Sequence, residues 1–159
     1  MGEMMLPSFD SVACDTLEML QELEDDHQIQ RALCHDLEAI ADALPKAPPH
    51  AQLRRIAERI ERVSKQHHPH ALALLLSLPP EQRPSQEALS ALAAMHSIDT
   101  SHGEDLITAL WNYSESDTDR QEGALGYMLR CYFDGCRRAM AFKEALIGRS
   151  LALTSAQAG

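Results

Sequence analysis

Residues 20–44, near the N-terminus, read LQELEDDHQIQRALCHDLEAIADAL and indicate the fold most clearly. Apolar or small side chains recur there every three or four positions, interrupted only at His27 and Gln30. They are Leu20, Leu23, Cys34, Leu37, Ala41 and Leu44. Because this spacing matches the turn of an α-helix, these side chains share one helix face. The stretch therefore predicts a long amphipathic helix whose buried face has a polar break.

Three further segments repeat this pattern, and proline-rich or polar breaks separate them. We expect a first helix over residues 15–44 and a second over 52–78, with a kink at Pro69. The third begins after Ser85, which serves as its N-cap, and ends in the polar loop 114–119. The fourth covers residues 120–150. Helices of similar length joined by short loops predict an all-α, antiparallel, up-down-up-down four-helix bundle. Residues 1–150 are then a single domain, and 151–159 are expected to form a frayed tail.

Composition agrees with a helical protein and limits its partners. The chain has 159 residues, only 4% of them aromatic, and a formal net charge of −10. Because an acidic chain is repelled by phosphate backbones, we expect no nucleic-acid partner. The longest apolar run, residues 71–76, is too short to cross a membrane, so we expect no membrane partner either. Without a recognisable signal peptide, the four cysteines indicate reduced thiols and a cytoplasmic protein.

All four predicted helices carry polar residues in their apolar faces. They are His27 and Gln30, His67 and His70, His96 and Asp99, and Lys143. A buried charge without a partner costs several kcal/mol, so these groups should meet one another or a ligand. Histidines and carboxylates that converge inside a bundle are the usual way in which bundles hold metal ions.

The sequence resembles the hemerythrin-like (HHE cation-binding) proteins, four-helix bundles that hold a di-iron centre. The resemblance spans most of residues 17–150 and is carried by short motifs. These are Glu24–Cys34 continuing through Leu37–Asp42, Met95–Asp99 followed by Glu104–Leu106, and Arg137–Glu144. It implies that His27 is the iron-binding histidine of the first helix and that His96 and Asp99 form a variant His-x-x-Asp motif in the third.

Departures from the family pattern affect the metal centre. Ala139 and Lys143 stand where the fourth helix of the family supplies a histidine and a carboxylate. The second helix should give His-x-x-x-Glu, but here Pro69 intervenes, and the register leaves either His67 or His70 in the ligand position. Since Asp99 is the one evident interior carboxylate, we expect no intact di-iron centre.

Two outcomes stay open for the eroded site. One Fe or Zn ion could bind to His27, His96, Asp99 and one of His67 and His70. Alternatively no metal binds, and the Lys143 ammonium pairs with Asp99 and hydrogen-bonds to neutral imidazoles.

Function is expected to be regulatory rather than catalytic. The chain contains no GxGxxG, GxxxxGK[ST], GxSxG, HExxH or CxxC motif. We predict a small non-enzymatic sensor or regulatory protein, with a metal-free protein-interaction or self-association module as the alternative. Two other features have simpler interpretations. The His67–His70 stretch (HHPH) would chelate metal even as an exposed patch, and Cys34 and Cys136 are expected to pack as small hydrophobes. A redox role for these cysteines would require close approach, which sequence does not reveal.

Overall fold

A computed structural model describes residues 9–117 and 121–157. Within these ranges the chain is all-helical, with four long helical segments and no strand, so the predicted helical class is confirmed. The elements are α1 (Phe9–Ala43), α2 (His50–Arg62), a π-helical turn (Val63–His67), α3 (His68–Ser77), α4 (Gln86–Glu115) and α5 (Glu122–Gln157). The elements α2, the π-turn and α3 follow one another without a break, and together we call them the composite helix.

Helix boundaries agree with the breaks in the sequence, with two corrections. The first helix begins at Phe9, six residues before the predicted start at residue 15. The predicted N-cap at Ser85 is confirmed, because its hydroxyl oxygen accepts a hydrogen bond from the Ala88 amide at 3.1 Å. The prediction that the last helix ends at Ser150 is wrong, since α5 continues to Gln157. The sequence after Ser150 begins Leu-Ala-Leu, and these residues have high helix propensity. Residues 158 and 159 of the predicted tail lie outside the described part of the chain.

The helices enclose two separate apolar clusters. Helix α5 packs against α1 and α4, and the composite helix packs against α4 and α1. A larger cluster contains residues 33–41 of α1, 53–63 of the composite helix, 106–113 of α4 and 125–140 of α5. A smaller cluster consists of Leu75, Leu78, Leu89 and Leu92, with partly buried neighbours such as Met19 and Ile147. None of the described helices is long and apolar enough to cross a membrane.

A polar layer lies between the two clusters along every helix. In α1 it falls between Met19 and Leu33, and in α4 between Leu92 and Leu106. Its members are His27, Gln30, His67, His68, His96, Asp99 and Lys143, all of them buried. The predicted polar interruptions therefore meet in one interior zone, except for His70.

The Ser85 cap provides a direct test of how α4 begins. Replacing Ser85 with Ala leaves the Ala88 amide without its side-chain acceptor and should lower the free energy of unfolding by about 1 kcal/mol. The control is Ser97→Ala, at an exposed position inside α4, where alanine should raise the free energy of unfolding by about 0.5 kcal/mol or less. Urea unfolding measures both changes. Equal midpoints for the two variants would contradict the capping role.

Candidate functional site

The composite helix changes register just before Pro69. The His68 amide donates a hydrogen bond to the carbonyl of Val63, five residues earlier. In a regular α-helix the acceptor would be the carbonyl four residues earlier. Proline has no amide hydrogen, and its ring clashes with the carbonyl four residues before it in a regular helix. The π-turn adds one residue to the turn and so rotates the positions that follow it.

This change of register decides which histidines face the interior. His67 and His68 are both buried, followed by Ala71 and Leu75. The expectation that His70 continues the inward face is wrong: its side chain is 43% exposed and pairs with Glu22, with Nε2 3.0 Å from Oε2. His68, which sequence reasoning left in an exposed patch, joins the interior instead. A proline in the middle of a helix was the signal that could have revealed it.

Two imidazole rings stack at the centre of the layer. His68 and His96 lie with ring centroids 3.9 Å apart and planes only 2° from parallel. Burial lowers the pKa of each to about 3, and the nearby charge of Lys143 adds to both shifts. His67 lowers the pKa of His68 further, and His68 lowers that of His96. Both rings are therefore neutral near pH 7. Two neutral rings can stack at this distance, whereas two imidazolium ions would repel each other.

Two further histidines are held by carboxylates at the margin of the layer. His27 Nδ1 lies 3.0 Å from Glu144 Oε1, and His67 Nδ1 lies 2.8 Å from Asp26 Oδ1. Since an ionised carboxylate only accepts, each contact favours a proton on Nδ1 and a lone pair on Nε2. In both residues Nε2 is buried, with no hydrogen-bond partner among the described residues. Imidazoles whose Nδ1 is oriented by a carboxylate are typical metal ligands.

Asp99 reaches the interior because α5 has a glycine opposite it. A Cβ atom at position 135 would overlap Asp99 Oδ1 and lie 3.2 Å from its Cγ. Burial raises the pKa of Asp99 to about 6, against the influence of His102, Arg138 and Lys143. The Oδ2 atom has no hydrogen-bond partner in the part of the chain that the structure describes. Among those residues, packing and not an ion pair holds the carboxylate in place.

Lys143 is the most completely buried member of the layer, with no exposed surface. Burial lowers the pKa of its ammonium from 10.5 to about 8. The predicted pairing of Lys143 with Asp99 is not formed, since Nζ has no hydrogen-bond partner among the described residues. The same is true of at least one polar atom in every other member of the layer. Those atoms belong to His27, Gln30, His67, His68, His96 and Asp99.

A group of three side chains that could ligate a metal ion lies where α1 meets α5. Atoms of Glu24, His27 and Glu144 all lie within 4.8 Å of one another, and this is the one such group of three or more in the described parts of the chain. The five ligands expected from sequence, His27, His67, His70, His96 and Asp99, contain no such group of three. Sequence reasoning passed over both glutamates because they lie outside the apolar faces, although Glu24 begins the acidic run before His27.

Arg31 forms ion pairs with both of these glutamates. Arg31 Nη1 lies 3.3 Å from Glu24 Oε1, and Arg31 Nη2 contacts Glu144 Oε1. All three side chains are nearly half exposed. The guanidinium thus provides the positive charge that two adjacent carboxylates need, in a place that solvent reaches.

Comparison with known proteins supplies no relative. No protein-family model matches the chain, and no curated protein or solved structure is significantly similar to it. The hemerythrin-like resemblance therefore stays a prediction.

The contact between Gly135 and Asp99 can be tested with two glycines of the same helix. We expect Gly135→Ala to lower the free energy of unfolding by about 1–3 kcal/mol, because the new methyl group overpacks the layer. Gly148→Ala, with no heavy atom within 4 Å of the new Cβ, should raise it by about 0.5–1 kcal/mol. Denaturant unfolding followed by circular dichroism measures both. Stabilisation by both substitutions would show that a methyl group at position 135 fits beside Asp99, and would contradict the predicted overlap.

Lys143 should make stability depend on pH in the alkaline range. Its folded pKa lies below its unfolded value, so the cost of burying the charge is full below pH 8 and disappears as pH rises toward 10.5. We expect Lys143→Met to stabilise the metal-free protein by about 1–3 kcal/mol at pH 7, and the difference from wild type to shrink toward pH 10. Lys65→Met, at an exposed lysine, is the control. A difference that is constant from pH 7 to 10 would contradict the lowered pKa.

The groups around Lys143 do not change the sign of this effect. Those that influence it or are influenced by it are Asp26, His27, His68, His96, Asp99, Cys136 and Glu144. Tyr132, whose pKa burial raises, acts equally in wild type and variant. The comparison between the two proteins therefore reports the ammonium together with its effect on these neighbours.

Proposed function

We propose that this protein is a small, non-enzymatic, hemerythrin-like regulatory bundle that binds one divalent transition-metal ion, iron or zinc. The single observation that carries the proposal is the proximity of Glu24, His27 and Glu144. One imidazole nitrogen and two carboxylate oxygens are a common ligand set for these metals, with further positions left to water.

The order of the helices supports an up-down-up-down topology. Along α1 and α4 the chain runs from the smaller apolar cluster through the polar layer to the larger one. Along the composite helix and α5 it runs from the larger cluster to the smaller one. Alternating direction is the expected arrangement when short loops join four long helices.

The interior charge favours one ion over two. In the resemblance to hemerythrin-like proteins, Ala139 and Lys143 stand where a second iron would need ligands. The Lys143 ammonium is buried beside His27, and the charge of Lys143 lowers the pKa of that imidazole. The same field opposes a second cation deep in the layer. A metal at Glu24, His27 and Glu144 would lie on the outer side of the layer, where solvent reaches both glutamates.

Displacement of Arg31 would connect metal binding to the rest of the protein. Arg31 and Glu24 belong to α1, and Glu144 belongs to α5, so the guanidinium bridges the two helices through Glu144. A metal ion that takes both carboxylates releases the arginine to solvent and replaces a salt bridge with coordination bonds. This exchange changes the charge and the surface at one junction of the bundle, which is what a regulatory response requires.

Metal titration of untagged protein tests the proposal. We expect about one Zn²⁺ per chain by calorimetry and elemental analysis, with a melting temperature that falls on chelation. Glu144→Gln should weaken binding about 10- to 100-fold, because it replaces an ionised carboxylate of the three-ligand group with a neutral amide. Arg31→Gln should strengthen binding, since it removes the competing cation.

The matched control is His70→Ala. His70 and Glu22 form another histidine–glutamate contact at 3.0 Å, but on the surface and outside the three-ligand group. Its loss should leave stoichiometry and affinity unchanged. If His70→Ala abolishes binding instead, the metal is held by the surface histidines. If wild type binds no metal at all, the metal-free interaction module is favoured, and sedimentation at increasing concentration would measure self-association.

A further inference from the structure

Two cysteines from opposite ends of the sequence meet inside the bundle. Cys34 of α1 and Cys136 of α5 are each only 1% exposed, and both belong to the larger apolar cluster. The Cys34 thiol donates to the backbone carbonyl of Phe133 at 3.7 Å. Side chains in a helix project over the carbonyl three or four residues before them, so this carbonyl lies beside the Cys136 side chain. The sulfur of Cys34 therefore sits against the turn of α5 that carries Cys136.

The two thiols also interact directly. The Cys136 thiol hydrogen-bonds to the Cys34 sulfur and so lowers the pKa of Cys34, while the pKa of Cys136 is raised. The positive charge of Arg137 lowers the pKa of Cys34 further. The pair is thus asymmetric: Cys34 forms a thiolate more readily, and Cys136 stays protonated beside it. This asymmetry is typical of dithiols in which one sulfur attacks and the other resolves.

We propose that Cys34 and Cys136 form a reversible disulfide between α1 and α5 when the protein meets a hydroperoxide. The interpretation of these residues as small hydrophobic core residues then describes only their reduced state. The disulfide uses none of the proposed metal ligands Glu24, His27 and Glu144.

The oxidation balances with hydrogen peroxide as the two-electron oxidant. The Cys34 thiolate attacks one peroxide oxygen, the O–O bond breaks, and the departing hydroxide takes a proton to become water. Cys34 is then a sulfenic acid. The Cys136 sulfur attacks the Cys34 sulfur, the S–S bond forms, the S–O bond breaks, and a second water leaves with the Cys136 proton. The dithiol loses two electrons, and the peroxide is reduced to two waters.

The test uses the full chain with Cys14 and Cys131 replaced by serine, so that only the proposed pair remains. After treatment of the folded protein with hydrogen peroxide, we expect both titratable thiols to disappear. The mass should fall by about 2 Da, because formation of the S–S bond removes two hydrogens. A disulfide-linked peptide containing both cysteines should appear after proteolysis without reductant. Dithiothreitol should restore the original mass, and the oxidised protein should melt at a higher temperature because the bond closes a long loop.

The control is the same background with Cys34→Ser. A lone Cys136 cannot form the intramolecular bond, so its mass should rise by oxygen addition or stay unchanged. Two results would overturn the proposal. The pair could keep both thiols at a peroxide concentration that oxidises Cys131 in wild type, or it could gain oxygen on each sulfur without forming the linked peptide. Either result is read without any metal measurement, so it leaves the proposed metal function untouched.

Discussion

Lys143 places an ammonium group inside the bundle with no hydrogen-bond partner in the described parts of the chain, and the surrounding layer is organised around that charge. The field of the ammonium and the low polarity of the interior both keep His68 and His96 neutral, which permits their close stacking. The ammonium also lowers the pKa of Asp99, because it favours the ionised carboxylate and so partly offsets the cost of burying it. A hydrophobic residue at position 143 would relieve the cost of burying the ammonium but would also remove this positive charge from the neighbourhood of Asp99.

The layer divides the core, and this division makes the register of each helix important. A shift of one residue in any helix would bring apolar side chains opposite His27 or Asp99 and expose polar ones to an apolar cluster. Within the described helical segments, the π-turn before Pro69 is the one departure from regular α-helix, and it ends at His67, a member of the layer. The two consecutive histidines that follow from it, His67 and His68, are both buried.

Sequence periodicity was sufficient for the helices and for most of the layer, but not for the ligand group. Regular three-four spacing located His27, Gln30, His96, Asp99 and Lys143 correctly, because each lies in an uninterrupted helix. It failed at His68 and His70, since a local hydrogen-bond shift cannot be read from residue spacing. Glu24 and Glu144 were missed for another reason. A half-exposed glutamate is usually solvated, and only the approach of α1 to α5 reveals that two of them flank the same imidazole.

The junction of α1 and α5 concentrates the chemistry of the protein. Arg31 links the two helices at the edge of the polar layer, and the thiols of Cys34 and Cys136 meet about two turns of α1 from His27. Metal binding would act on this junction by removing the arginine bridge, whereas oxidation would act by adding a covalent one. Because the two events involve different side chains of the same pair of helices, they are expected to influence each other through helix packing and not through shared ligands. If one helix pair carries both proposed sites, metal and redox signals meet at the α1–α5 contact, and α4 receives them through its packing against α5.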